Sequence, residues 1–543
     1  MRHTTLTVLG TGVLLTALAA CGGDDGGSSG NANPENSNAP SDAGSSQPWI
    51  LGTTDPIVSI DPAGAYDIGS WNLQYSIYEQ LLVIPAGGDA PEADAADSCD
   101  YDDPQTVTCK LRPDNKFSNG HDLTSSDVVF SFERNIAIAD PNGASSLLGS
   151  LLDPDAETPT LAEGAIEAPD DTTVVFNLTK PDQTFVKVLT TAATSIVDEE
   201  VFPADKLLDS AEVVGSGPYT LSDYKVEQQA SLEANPEYLG TRSGKANQVI
   251  VKLYKEPSAL RADIGTSKVD VAWRTLSAVD LADLGKTDGL TVLNGEGSEF
   301  RYWVFNTATA TGKQLAVRQA VANIIDRDEI TTDVYDGTTK PAYSLVPPGF
   351  AGQKDSFSEA YGTAPDLAAA EQLLTDAKIA TPVKLTLGVP PDKYGDAAVQ
   401  ETNTFKEQLD ASGLFDVTVV EDPYEEYKEN YREGAYDLYM LGWYPDFLDA
   451  DNYLSPFVRD GGFFANGYSN DEVNSLLDEE LAGTDEATRS EAFGKLQDII
   501  ARDVPVLPSW NGKNVAVSTE PMTGVEETLD PTYIFRIWDI TKK

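Results

Sequence analysis

Apolar and polar positions repeat most regularly between residues 383 and 443. The segment VKLTLGV alternates as a β-strand does, and residues 396–412 carry apolar side chains at helical spacing, with Phe405 and Leu409 on one face. FDVTVV predicts a second strand, PYEEYKENYREG a short helix that ends at Gly434, and YDLYMLGW a third, buried strand. This order of strands and helices predicts a parallel α/β unit with right-handed crossovers.

Three more helices are predicted from their start signals or apolar faces. Thr124 and Asp127 have the spacing of a capping box in front of VVFSF. Asp366 can cap a helix whose apolar face repeats at helical spacing: Leu367, Ala370, Leu374 and Ala377. The third helix has an apolar stripe that ends before Asp326-Arg327-Asp328: Val317, Ala320, Val321, Ile324 and Ile325.

The stretch GWYPDFLDADNYLSPF, residues 442–457, follows the third predicted strand. It places three carboxylates, those of Asp446, Asp449 and Asp451, among five aromatic rings. Ligands of open α/β sheets bind just beyond the carboxyl ends of the strands, so a site is expected here. The residue types alone fit a pair of catalytic acids, a cation site, a sugar platform or a clamp for an amine. A calcium loop is disfavoured because the 1-3-5 pattern of oxygen ligands breaks at Tyr453.

Length and charge limit the classes of protein to consider. The 543 residues are enough for roughly three domains of about 150 residues each. A formal charge of −51 disfavours binding to nucleic acid or to anionic lipid. The negative surface serves either solubility or the attraction of cationic ligands, and the total charge does not separate the two.

The first 46 residues differ from the rest of the chain. Residues 1–20 have the basic start, the short apolar run and the small residues of a signal peptide. Leu18-Ala19-Ala20-Cys21 resembles a bacterial lipobox, which implies a lipid on Cys21. Residues 22–46 are rich in Gly, Ser, Asn, Asp and Pro, as flexible tethers are. We therefore expect an exported protein on the outer face of the plasma membrane, held there only by its lipid.

Few residues are available for metal or nucleophilic chemistry. Cys99 and Cys109 flank a turn at Asp103-Pro104, which predicts a disulfide across a hairpin; no neighbouring His or Cys completes a zinc site. His121 is the only histidine beyond the signal segment, so a His-rich metal site is excluded. The chain has no P-loop, GxSxG or HExxH motif. Enzymatic chemistry would have to use paired carboxylates, as in glycoside hydrolysis.

Six segments, in order, resemble the oligopeptide/dipeptide class of solute-binding lipoproteins that serve ABC importers, extracellular family 5. The resemblance covers nearly all of the chain after the tether. The segments are TDPIVSIDPAGAYD, CKLRPDNKFSNGHDLTSSDVVFSFER, GSGPYTLSDYKVEQQASLEANPEYLG, VRQAVANIIDRDEI, YSNDEVNSLLDEEL and DVPVLPSW.

The resemblance implies an α/β, two-lobed fold of the periplasmic-binding-protein type (type II), with a hinge between the lobes and an additional domain. Lobe I is then discontinuous, at 47–77, 213–300 and 510–543. The additional domain is expected at 78–212 and lobe II at 301–509.

The resemblance also implies a ligand site. In peptide-binding members, a Gly-Trp-x-x-Asp motif after that strand supplies an aspartate for the ligand's α-ammonium group. Here the motif is Gly442-Trp443-Tyr444-Pro445-Asp446, which makes Asp446 the candidate amine clamp. The other residues expected at the cleft are Tyr66 to Ile68, Tyr302 or Trp303, and Trp510. Asp449 and Asp451 are expected to be cap and turn residues.

The function implied is that of a monomeric receptor that binds an oligopeptide-like solute and delivers it to the membrane subunits of an ABC permease. Neither a cofactor nor a metal is expected. One alternative keeps the scaffold with an oligosaccharide or an amine-bearing small molecule as ligand. The other is an extracellular hydrolase that uses acids between 446 and 451. No basic partner for a ligand carboxylate is evident in the sequence.

Overall fold

The computed structural model describes residues 47–242 and 244–543. The predicted signal segment, the lipidation site Cys21 and the tether to residue 46 lie outside the described residues. Within the described ranges, no helix combines the length and the apolar character that a membrane span needs.

The strands, in chain order, are β1 (Trp49–Thr53), β2 (Leu82–Val83), β3 (Glu92–Ala93), β4 (Ala96–Asp103), β5 (Thr106–Leu111), β6 (Ile166–Asp170), β7 (Thr173–Asn177), β8 (Tyr219–Lys225), β9 (Gln229–Ala234), β10 (Gln248–Leu253), β11 (Val271–Trp273), β12 (Leu290–Gly295), β13 (Phe300–Phe305), β14 (Thr339–Pro341), β15 (Val383–Val389), β16 (Phe415–Glu421), β17 (Leu438–Trp443), β18 (Val506–Gly512), β19 (Asn514–Thr519), β20 (Met522–Thr523) and β21 (Thr541–Lys542). The α-helices are α1 (Ile68–Ile77), α2 (Ser125–Ile138), α3 (Phe185–Val188), α4 (Pro257–Ile264), α5 (Ala278–Leu284), α6 (Leu315–Ile324), α7 (Arg327–Glu329), α8 (Ser356–Tyr361), α9 (Leu367–Asp376), α10 (Pro391–Ala411), α11 (Tyr424–Glu433), α12 (Ser455–Val458), α13 (Asp471–Ala482) and α14 (Glu486–Asp503).

Two large mixed sheets dominate the molecule. The first has seven strands in the order β12-β19-β11-β1-β10-β9-β8, and we call the body built on it lobe I. The second has six strands in the order β14-β18-β13-β17-β15-β16, and we call the body built on it lobe II. In lobe I, β1 runs parallel to both of its neighbours, β10 and β11.

The α/β unit predicted between residues 383 and 443 is confirmed in lobe II. β15 pairs in parallel with β16 and with β17, and α10 and α11 connect these strands in the chain. The structure also confirms the predicted caps. Thr124 and Asp127 form a capping box at the start of α2, and the Asp366 side chain accepts a hydrogen bond from the backbone of Ala369 at the start of α9.

A third, four-stranded antiparallel sheet, β4-β5-β7-β6, has its own hydrophobic core with α2. Cys99 and Cys109 face each other on β4 and β5, and a disulfide joins them, as the hairpin pattern predicted. Phe447, from the loop after β17 of lobe II, is buried in the core of this third sheet. The four-stranded body and lobe II therefore share packing close to the candidate site.

The chain passes between the two large sheets at adjacent places. Residues 296–299 connect β12 of lobe I with β13 of lobe II, and Lys513 alone separates β18 of lobe II from β19 of lobe I. The two connections touch, because the Gly512 amide donates a hydrogen bond to the Glu299 carbonyl at 2.9 Å. Trp510 thus stands on a strand of lobe II, three residues before the connection.

Candidate ligand-binding site

The loop after β17 is held in shape by Asn452. Its side-chain oxygen accepts hydrogen bonds from the Asp446 amide at 2.9 Å and from the Trp443 indole at 3.0 Å. Its side-chain nitrogen donates to Asp446 Oδ2 at 2.9 Å. The other carboxylate oxygen, Oδ1, accepts a hydrogen bond from the Tyr66 hydroxyl at 2.8 Å. The Asp446 carboxylate therefore has a fixed orientation and faces lobe I.

Asp446 has no cationic partner among the described residues. No Lys, Arg or His of the described chain lies within ion-pair distance of its carboxylate. Burial raises its pKa to about 6, against the lowering effect of the hydrogen bonds from Asn452 and Tyr66. A desolvated carboxylate with only neutral donors attracts a cation strongly, and an ammonium group would supply both the charge and hydrogen bonds.

A cavity of about 240 Å³ lies between the two lobes beside this loop. From lobe I it is lined by the end of β11, the start of α5, β19 and Tyr533; from lobe II it is lined by Tyr335, Tyr444 and Trp510. Glu299 and Lys513, from the two connections, complete the wall. A smaller cavity of about 10 Å³ reaches Asp446 itself, which is room for about one water molecule.

Tyr444 connects the loop to lobe I. Its ring lies 4.9 Å from that of Tyr533, edge to face, and the Arg274 guanidinium lies 4.5 Å from its centre. Arg274 is itself paired with Asp55 through contacts of 3.1 and 3.2 Å. Arg274 therefore forms part of the cavity wall, with its charge balanced by Asp55 and its guanidinium stacked on the Tyr444 ring.

The other residues of the predicted site divide into two groups. Trp510 lines the cavity with its ring and donates its indole N–H to Glu401 Oε2 at 2.9 Å, behind the wall. Tyr66 reaches Asp446 and is 39% exposed, whereas Ile68, at the start of α1, packs against the core of lobe I. Trp443 packs inside lobe II, with its ring 5.2 Å from that of Phe457.

Tyr302 and Trp303 do not line the cavity, contrary to what the resemblance implied for one of them. Both are 0% exposed in the core of lobe II. Tyr302 packs against Phe457 and Phe464, and Trp303 donates to Glu401 on the other face of the sheet at 3.2 Å. The reason is that β13 is an interior strand of its sheet with both faces covered, so aromatic rings at successive positions are buried on opposite sides.

Asp449 and Asp451 have structural partners. Asp449 caps the short 3-10 helix Ala450–Tyr453 and forms ion pairs with Lys187 at 2.7 Å and with Arg489 at 2.8 Å. The prediction of a cap is confirmed for Asp449. Asp451 is more than a turn residue, because it is buried against Glu480 and Arg489.

Two arginines close to the cavity, Arg274 and Arg301, are not identified by the motifs of the sequence. Arg301 interrupts the otherwise apolar strand FRYWVF, and an arginine at a central-strand position was a visible signal. Arg274 and Thr275 adopt left-handed backbone conformations, with φ of 61° at each, immediately after β11. No pattern in the sequence gives that geometry.

No cluster of three or more His, Cys, Asp or Glu side chains suited to a metal is found in the described part of the chain. His121 lies in a turn with its Nδ1 2.8 Å from Asp198, away from the residues of the cavity.

Comparison with known proteins identifies the class. The sequence model of the bacterial extracellular solute-binding proteins, family 5 (middle), matches residues 90–465, and the chain belongs to this family. It is 25% identical over 508 residues to the periplasmic oligopeptide-binding protein OppA of Escherichia coli (strain K12), across 90% of this chain and 91% of that protein. It is also 25% identical over 518 residues to the heme-binding protein A of Haemophilus influenzae, across 90% and 91% of the two chains.

The fold matches a solved relative over nearly its whole length. The periplasmic binding protein DppA from Helicobacter pylori, solved in complex with the peptide STSA, aligns with a TM-score of 0.76 at 22% identity. The alignment covers 91% of this chain and 98% of that one. The protein therefore has the two-lobed fold of periplasmic binding proteins and is a solute-binding protein, not an enzyme. The hydrolase alternative is overturned by this membership.

Proposed function

We propose that this protein is a lipid-anchored receptor outside the cytoplasm that binds an oligopeptide-like solute between its lobes and delivers it to an ABC importer. The observation that carries the proposal is the Asp446 carboxylate, which is oriented by Asn452 and Tyr66 and has no cation partner in the described residues. A peptide's α-ammonium group supplies the missing charge. The match to relatives that are named as peptide-binding proteins, such as OppA, also supports a peptide as the ligand.

The size of the cavity favours a short ligand. At about 240 Å³ it is smaller than the roughly 300–1,000 Å³ of most small-molecule sites. The rings of Tyr335, Tyr444 and Trp510 form much of the wall on the side of lobe II. Extended peptides bind largely through backbone hydrogen bonds, so this wall suits a few residues of varied side chain.

Capture requires the lobes to part and close. The two adjacent connections, 296–299 and Lys513, are the proposed hinge. Changes in the backbone angles of these few residues would rotate one large sheet relative to the other. The family resemblance implied that lobe I resumes at residue 510. In the structure, residues up to Gly512 belong to β18 of lobe II, so the chain returns to lobe I three residues later. Closure over a ligand would present one closed face to the permease.

Anchoring rests on the sequence alone. Leu18-Ala19-Ala20-Cys21 suits lipidation at Cys21, and the tether to residue 46 would hold the body away from the membrane. Export is consistent with a family of extracellular proteins and with the disulfide.

A non-peptide solute is the second candidate. A relative at the same identity as OppA is a heme-binding protein, so the scaffold accommodates other ligands. In that case Asp446 would bind an amine or a hydroxyl of a different molecule.

The ligand that co-purifies distinguishes the two candidates. The chain from residue 22 onward would be purified from its own host, analysed by native mass spectrometry, and then denatured to release what it holds. A ladder of adducts that resolves into mixed short peptides is the expected result. One discrete non-peptide mass would contradict the peptide proposal and leave the receptor class intact.

A further inference from the structure

We propose that Glu401 of α10 determines the specificity of the cavity between the lobes, because it turns the polar atoms of Tyr335 and Trp510 away from the ligand. The cavity is then a subsite for an apolar side chain. The inference rests on the proposed function, in which a peptide-like solute lies between the lobes. Glu401 is not one of the residues that line the cavity, and it is a positioning residue that acts through two rings that do.

Glu401 is a completely buried carboxylate that accepts four hydrogen bonds. Oε1 accepts from the Trp303 indole at 3.2 Å and from the Ser509 hydroxyl at 2.7 Å. Oε2 accepts from the Tyr335 hydroxyl at 2.7 Å and from the Trp510 indole at 2.9 Å. All four donors are neutral groups, and a carboxylate is a stronger acceptor than a neutral oxygen. One acid therefore fixes the directions of four side chains.

An irregularity of β18 brings two of these donors to the same acid. The strand has one extra residue, Ser509, opposite the step between Arg301 and Tyr302 of β13. Successive side chains of a regular strand point to opposite faces, but a β-bulge changes the direction of the side chains beside it. Ser509 and Trp510 are successive residues, and both donate to Glu401. The bulge thus directs the Trp510 indole N–H to the back of the wall.

Tyr335 joins Trp510 in one aromatic surface. It follows a π-helical turn, Ile330–Val334, a feature that is frequent at functional sites. The centres of the two rings are 4.7 Å apart, with the planes tilted by 56°. Because both rings donate to the same carboxylate oxygen, their angle to each other depends on Glu401.

The cavity receives the two rings without their donors. The Tyr335 hydroxyl and the Trp510 indole N–H are both occupied by Glu401. A polar ligand side chain against these rings would give up its hydrogen bonds to water and gain none, whereas burial of an apolar side chain is favourable. Lobe I contributes aliphatic residues to the same cavity: Leu276, Leu281 and Val515.

The charged residues of the cavity have other positions or partners. Arg274 is paired with Asp55. Glu299 and Lys513 belong to the two connections between the lobes. The aromatic surface held by Glu401 is therefore the part of the wall that selects by polarity.

Calorimetry on the chain from residue 22 onward would compare trileucine with triasparagine, whose side chains are similar in size and differ in polarity. All three positions change together, so the position that occupies the subsite does not have to be known. The proteins are wild type, Glu401→Met, Glu401→Gln and the control Asp410→Asn. Asp410 lies on the same helix, and its carboxylate accepts from the Val417 amide at 2.9 Å.

Wild type is expected to bind trileucine more tightly than triasparagine, and Asp410→Asn should keep the same ratio of affinities. Glu401→Met should lower this ratio about 3- to 10-fold, the range of one neutral hydrogen bond, because a released ring donor can bind the asparagine amide. Glu401→Gln should lie between the two, since its single oxygen accepts from one indole and its NH2 group faces the other, which can only donate.

A general loss of stability weakens the binding of both peptides alike and leaves the ratio unchanged. An unchanged ratio in Glu401→Met, or a wild-type preference for triasparagine, would overturn the proposal.

Hydrogen exchange of the indole N–H groups tests the geometry without a peptide or a Glu401 variant. In wild type labelled with nitrogen-15 at tryptophan, the Trp510 signal would be assigned by its loss in Trp510→Phe. Its N–H should exchange as slowly as that of Trp273, which is buried and donates to Asn514 at 2.8 Å. Exchange as fast as in free tryptophan would mean that the N–H faces the cavity, and it would overturn the proposal.

The two measurements also separate this proposal from the proposed function. If wild type binds neither peptide while the Trp510 indole is protected, the peptide function fails and the placement of the rings by Glu401 stands. If wild type binds both peptides equally and the indole exchanges freely, the receptor function stands and the role of Glu401 fails.

Discussion

The Tyr66 hydroxyl of lobe I donates a hydrogen bond to Asp446 Oδ1 of lobe II over 2.8 Å, joining positions 380 residues apart in the chain. The proposed amine clamp is thus in contact with the opposite lobe. Burial of the hydroxyl raises the pKa of the Tyr66 phenol and the Asp446 carboxylate raises it further, so Tyr66 remains a donor at any physiological pH. In the proposed function, one carboxylate serves both the contact between the lobes and the ligand.

Tyr66→Phe should therefore shift the ligand-free protein towards more open forms. Loss of one partly exposed hydrogen bond of about 1 kcal/mol changes the ratio of closed to open forms roughly fivefold. Small-angle X-ray scattering would show a larger radius of gyration. The matched control is Tyr254→Phe, which removes a tyrosine–aspartate bond of 2.7 Å to Asp263 within lobe I. An equal change in both variants would contradict a role for Tyr66 between the lobes.

Affinity for an amine-bearing ligand should fall as the solution becomes acidic. The pKa of Asp446 is about 6 because the carboxyl is desolvated. An ammonium group binds the ionised form, so affinity is full above pH 7 and falls about tenfold per pH unit well below 6. Calorimetry between pH 5 and 8 would measure this.

The pH profile of Asp446→Asn isolates this carboxyl from others that titrate nearby, such as Asp67, whose pKa burial also raises to about 6. The variant should bind weakly and lose the slope. An unchanged slope in the variant would assign the pH dependence to another group.

Asp451 and Glu480 form a buried pair of carboxyl groups that can share one proton. Burial and the neighbouring Asp451 raise the pKa of Glu480 far enough to keep it protonated at neutral pH. Glu480→Gln preserves the shape and a hydrogen-bond donor, so its thermal midpoint should stay close to that of wild type. Glu480→Ala leaves Asp451 and Arg489 with fewer partners and should unfold several degrees lower. A midpoint for Glu480→Gln as low as that of Glu480→Ala would show that Glu480 is ionised.

Local patterns in the sequence predicted much of lobe II. The unit at 383–443 and the caps at Thr124 and Asp366 depend on side chains a few positions apart, and the structure contains all of them. The location of Asp446 beyond a strand end also followed from the order of the elements, without the family. Its role there stays a proposal.

Contacts between distant parts of the chain were not predictable. Asp449 pairs with Lys187, 262 residues away, so its ion pairs were invisible to a local pattern. The family resemblance placed either Tyr302 or Trp303 at the cleft, but the strands and helices packed against β13 bury both side chains. The incomplete hydrogen bonds of Arg301, whose Nε and Nη1 have no partner among the described residues, are evident only once the surrounding side chains are placed.

The most direct test of the account is the affinity of one short peptide, with a free or an acetylated N-terminus, for wild type and Asp446→Asn. Acetylation removes the ammonium group, so wild type should prefer the free peptide by about 1.5–3 kcal/mol. Asp446→Asn should lose that preference, while Asp416→Asn, the same charge change at an exposed position of lobe II, should keep it. Equal dissociation constants of the free peptide for wild type and Asp446→Asn would remove Asp446 from the site and contradict the account.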